Sequence, residues 1–207
     1  MTTEVSLGRG IRDEINPEAD LRQQLQKNAR LFAPTLGISR QEYIARFPEF
    51  KHEPEDIGQK LGIIVPVETE VPLPEMLRIL GIDTFFDPQE VEDWLVEEGF
   101  ETPSKPYVTR LTYIPNKSAL DTRVDLLKQE NKRGGTIFDG IALCLKNPQI
   151  LNRYYLNFPG SQVGPDDVPF LFAWSNSVEN STPSPILSYG NVESASPKFA
   201  CLVASKV

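Results

Sequence analysis

The 207-residue chain predicts an α+β fold in which N-terminal helices precede a mostly antiparallel or mixed sheet packed with helices. Helix-start signals, each a capping residue followed by apolar positions at helical spacing, crowd the first half. β-Branched and aromatic runs separated by Gly-, Pro-, Asn- and Ser-rich turns fill the end. Two of those runs, Phe170 to Trp174 and Phe199 to Ala204, are apolar on both faces, the pattern of central strands covered on two sides.

Taken in order, Asn16-Pro17 supplies a cap and a first-turn proline, and Leu21, Leu25 and Leu31 or Phe32 follow at helical spacing. That predicts a helix over 17–31, ended by Pro34 and Gly37. Ser39-Arg-Gln-Glu42 reads as a capping box opening a short helix with Tyr43, Ile44 and Phe47. Residues 48–60 are polar and read as a loop or linker. The run 61–67 reads as a buried strand and 72–80 as a short helix stopped by Gly81. Asp87-Pro-Gln-Glu90 predicts another helix, with Val91, Trp94 and Leu95 as its apolar stripe. Tyr107 to Ile114 predicts a strand, and Leu120 to Glu130 a helix. Lys132-Arg-Gly-Gly135 reads as a turn, followed by a helix that Thr136 and Asp139 cap. Asn147-Pro148 starts a helical turn through Leu151. Strands are expected over 154–158, 169–175, 185–189 and 198–205. Gly140 falls inside a helix, where it costs about 1 kcal/mol against Ala, and so marks close packing against a strand. Residues 1–60 form an N-terminal helical segment and 61–207 an α+β domain, or the helices pack on that domain as one unit.

The net charge of −8 argues against nucleic acid, since neutralising phosphates needs surplus Lys and Arg. The charge is uneven: residues 1–103 carry 10 basic and 21 acidic side chains, and 104–207 carry 11 and 8. Solvated acidic helix faces explain most of this, but the two halves would also attract each other, within a molecule or between two. No apolar stretch approaches the ~18–20 residues of a membrane span, and the polar Met1 to Gly10 lacks a signal-peptide core. Cys144 and Cys201 sit in apolar patterns and read as buried, reduced thiols. A cytoplasmic location is the simplest expectation.

One order of short motifs is familiar: Ile64-Val-Pro-Val67, Thr136-Ile-Phe-Asp-Gly-Ile-Ala-Leu143, Pro159-Gly-Ser161, Val168-Pro-Phe-Leu171 and Gly190-Asn191. It resembles an uncharacterised bacterial protein family defined only as a domain of unknown function, over roughly residues 61–207. The chain departs from that family's pattern with Asp139 in place of Glu, Gln162 in place of Arg, and no tryptophan-rich ending. The resemblance implies an extent and no mechanism.

His52 is the single histidine and lies in a polar segment, which argues against histidine-dependent nucleophiles and multi-histidine zinc sites. Gly160-Ser161 lacks the nucleophile-elbow context and reads as a turn. Asp166-Asp167 blunts a turn more readily than it binds a cation. The aromatics Phe158, Phe170, Phe172, Trp174, Tyr189 and Phe199 could line a pocket, but at strand spacing they read as core. No catalytic residue, metal site or cofactor is expected. The one candidate site is Lys132, Arg133, Gly134, Gly135 and Thr136, where two cations and two glycines precede a helix N-terminus, the chemistry of an anion site. Against it, Thr136 can cap those amides itself. The leading functional expectation is a non-enzymatic module binding a partner protein, a second copy or a small anionic ligand. The alternative is an enzyme acting on an anionic small molecule with carboxylates and the loop around Arg133.

Overall fold

The computed structural model describes residues 17–49, 62–93, 103–174 and 184–205. His52 and residues 94–102 therefore lie outside the described residues. Helices α1 (Pro17–Leu36) and α2 (Arg40–Ala45) come first, then strand β1 (Ile63–Val67), helix α3 (Leu73–Leu80) and the short strands β2 (Asp83–Thr84) and β3 (Val91–Asp93). Strand β4 (Tyr107–Pro115), helix α4 (Ala119–Leu126), strand β5 (Lys132–Gly134) and helix α5 (Ile137–Lys146) form the middle. Strands β6 (Tyr155–Asn157), β7 (Ser161–Val163), β8 (Asp167–Trp174), β9 (Ser184–Asn191) and β10 (Phe199–Ser205) close the chain.

These strands form one mixed, mostly antiparallel sheet whose main path runs β1-β4-β10-β6-β8-β7-β3. Among the described residues, only β6 with β10 and β2 with β9 pair in parallel. The two runs expected to be central are so. Strand β10 pairs with β4 along one edge and with β6 and β5 along the other. Strand β8 pairs with β9 on one side and with β6 and β7 on the other.

Residues opposite each other in a ladder share a face, so the register sorts the sheet. Val65, Val67, Tyr107, Leu111, Leu156, Leu171, Leu187, Ala200, Leu202 and Ala204 lie on one face and in one buried cluster with Phe32, Tyr43, Met76, Ile137 and Ile141. The N-terminal helices thus share the core of the sheet. The opposite face carries Val203 against Leu126 of α4, and Cys201 and Val168 against Ala119.

Local signals explain most elements. Ser39 and Glu42 form a reciprocal capping box, as do Thr136 and Asp139, and Gly81 closes α3 at φ 63°. Four expectations need correction. Helix α1 runs on to Leu36 with Pro34 inside its last turn, so that proline does not end it. After Asp87 the cap supports only a 3-10 turn, Pro88–Glu90; Val91 to Asp93 then pair with Val163 to Ser161 as a strand. Lys132 to Gly134 is a strand on β10, not a turn. Helix α4 ends at Leu126, four residues early.

Candidate functional site

Strand geometry divides the candidate anion loop. Successive side chains on a strand point to opposite faces, so Lys132 and Arg133 cannot act together. Arg133 pairs in register with Ala204 and points to the core face, where it is 2% exposed. Its Nη1 donates to Asp139 Oδ2 at 2.6 Å and its Nη2 to Oδ1 at 3.1 Å, a bidentate ion pair. Tyr107 completes the triad: its hydroxyl accepts from Arg133 Nη2 and donates to Asp139 Oδ1, both at 2.8 Å. Arg133 also lies 5.4 Å from the Tyr107 ring centroid.

The helix start is satisfied from within as well. The Thr136 amide and hydroxyl donate to Asp139 Oδ2 at 2.8 and 3.1 Å. The Ile137 amide donates to Ser161 Oγ at 3.1 Å and the Gly135 amide to the Leu202 carbonyl at 2.8 Å. The anion that the Arg133 guanidinium, the Thr136 amide and hydroxyl and the Tyr107 hydroxyl hold is the chain's own Asp139. Gly134 is pressed against Gly160, where an added Cβ on Gly160 would meet the Gly134 carbonyl oxygen at 2.4 Å. Of the glycines expected to admit a ligand, Gly134 admits another segment of backbone and Gly135 the Leu202 side chain.

Burial raises the Tyr107 phenol well above its ordinary range, with the Asp139 charge adding to the effect. For Arg133, burial works against the charged form, but Asp139 and Tyr107 outweigh it and the net shift is upward. Tyr107→Phe is therefore expected to destabilise by about 1–3 kcal/mol, because it strands donors and acceptors of a buried triad. Urea midpoints of the wild type and Tyr107→Phe would test this, and an unchanged midpoint would contradict it.

A second buried cation, Arg123 of α4, clamps the turn after β6. Its Nε donates to the Pro159 carbonyl and its Nη2 to the Ser161 carbonyl, each at 2.9 Å. Burial pushes Arg123 down to about 10. Cys201 and Cys144 are both free thiols, and burial raises them, Cys144 to about 12. Asp166 and Asp167 sit where the chain enters β8, and the Asp166 carbonyl accepts the Val192 amide.

The aromatics divide as well. Phe158 is fully buried in the core. Phe170, Phe172 and Phe199 cluster with Tyr155, whose ring stacks on Phe170 at 5.9 Å. Tyr189 stands at the rim against Phe86, in an edge-to-face contact at 5.5 Å.

Lys132 points the other way, with Thr112, Ile114 and Val203 on the α4 face of the sheet. There α4 covers only part of the surface and leaves a groove of about 640 Å³. Its floor is Thr112, Ile114, Val203 and Lys132, and Leu126 and Gln129 form a wall. Among the described residues Lys132 is the one charged side chain lining the groove, and its ammonium has no ion-pair or hydrogen-bond partner there. Beside the groove, α4 and its C-cap expose Leu120, Val124 and Leu127 at helical spacing. Among the described residues no helix is long and apolar enough to cross a membrane, and no group of three or more metal-type side chains converges.

The chain matches no family model, no curated protein and no solved structure. The groove's geometry therefore stands alone as a guide to function. Sequence reasoning picked out Lys132 but none of its neighbours there. Ile114, Leu126 and Val203 reach the groove from three elements that only long-range pairing brings together, and no local pattern marks them.

Proposed function

We propose that the protein is a non-enzymatic binding module that holds a small ligand in the groove between α4 and strands β4, β10 and β5. The observation that carries this reading is the groove itself. Its volume of about 640 Å³ lies within the roughly 300–1,000 Å³ usual for ligand sites, and apolar side chains dominate its walls. Among the described residues its polar side chains are Thr112, Tyr113, Gln129 and Lys132, a few polar groups on a mainly apolar surface, which suits holding a ligand.

The alternative, an enzyme working through carboxylates near Arg133, has less support. Asp139 is fully buried and accepts five hydrogen bonds, so it has neither access to a substrate nor a free lone pair to offer one. A protein partner is the weaker occupant, because the three exposed apolar residues of α4 and its C-cap form a convex stripe while the groove is concave. The free thiols support a cytoplasmic setting, and the resemblance over residues 61–207 suggests a bacterial one.

A thermal-shift screen of metabolites on the whole chain tests the reading. Ligands that raise the melting temperature of the wild type should lose most of that shift in Ile114→Glu, which puts a charge into the groove at a side chain 37% exposed in the fold. A screen without hits, or hits that shift Ile114→Glu equally, would overturn it.

A further inference from the structure

We infer that the ligand of this groove is an amphiphile with an apolar body and a single carboxylate head, the head held by Lys132. This rests on the reading of the groove as a ligand site and adds its chemistry. Ile114 offers an apolar body the gain that any burial offers, while Leu126 and Val203, each 2% exposed, only close the groove behind it, so these walls select only for lack of charge. Lys132 selects further. It is half-buried, strand pairing of β5 with Ser205 anchors its backbone, and among the described residues its ammonium has no partner beside the apolar walls. An attraction between opposite charges is stronger next to such low-dielectric walls than in open water.

The polar neighbours fit a small head group. Thr112 and Gln129 also line the groove, and the Gln129 side-chain amide is engaged only by a 3.4 Å bond to the Asp125 carbonyl. That long bond is readily exchanged for one to a carboxylate oxygen. With one cation in the groove and a net charge of −8 over the chain, a polyanion is disfavoured and a monoanion is not.

The probes are decanoate and decanol, which share an apolar chain and differ in the head. Both would be titrated by calorimetry into the full chain and into Lys132→Met, Lys132→Arg and Ile114→Glu, each first checked for an unchanged melting temperature. Decanoate should bind the wild type roughly tenfold more tightly than decanol, the size of one charge-assisted contact near the surface. Lys132→Met should erase that difference, and Lys132→Arg should keep most of it. If decanol binds as well as decanoate, or decanoate is indifferent to Lys132→Met, the carboxylate inference fails while the groove reading stands. If neither probe binds, or both bind Ile114→Glu as they bind the wild type, the groove reading fails and takes the inference with it.

Discussion

Asp139→Ala is expected to destabilise the protein by about 3–5 kcal/mol, the usual result of removing one partner from a buried ion pair. Three losses combine. Arg133, 2% exposed, would keep its charge with no counter-charge among the described residues, where Asp139 is its one ion-pair partner. The Tyr107 hydroxyl and the Thr136 amide would each lose a bond of 2.8 Å. Helix α5 would lose half of its capping box. Urea denaturation of Asp139→Ala and of the double variant Arg133→Met with Asp139→Leu would separate the terms. The double variant removes both charges and should recover a large part of the loss. A loss below about 1 kcal/mol for Asp139→Ala would show that the triad is not what holds α5 to the sheet.

Gly140→Ala has the second largest expected effect, and its sign opposes intrinsic propensity. In an exposed helix the change would stabilise by about 1 kcal/mol. Here the new Cβ would lie 2.1 Å from Phe158 Cε1 and 2.4 Å from its Cζ, and the Phe158 ring is fully buried with no room to retreat. A net loss of about 1–3 kcal/mol is expected, as for other overpacked cores. Phe158→Leu removes the ring atoms that clash, so Gly140→Ala should cost much less in that background. A double-mutant cycle measures this directly; additivity within about 0.5 kcal/mol would mean that the ring does not impose the glycine.

Gly140 also shows what kind of information the sequence carries. A glycine inside a strongly patterned helix is a local anomaly, and it marked a close approach before the approaching residue was known. The capping boxes at Ser39 and Thr136 were legible for a similar reason, because the residues that bond lie three apart. The helix expected after Asp87 was misread because a cap with one following turn looks alike whether the chain then continues as helix or pairs as a strand. Val163 decided that, from 72 positions away in β7.

The candidate site divides along the same line. The anion-binding chemistry of Lys132 to Thr136 was written in the residue types, and the chain does assemble it, around Asp139. Which cation serves it was not written there. Lys132 and Arg133 are equivalent in a turn and opposite in a strand, and the turn became a strand because β10 offered an open edge beside β6.

By itself, then, the sequence determined the α+β class, the helix caps, the two central strands and the tight packing at Gly140, because each depends on propensity or periodicity within a few residues. The tertiary structure alone decided that Arg133 is sealed against Asp139 and Tyr107 while Lys132 faces a groove. That choice depends on the register of β5 against β10, and register is fixed by burying one face of a sheet whose strands lie far apart in the chain.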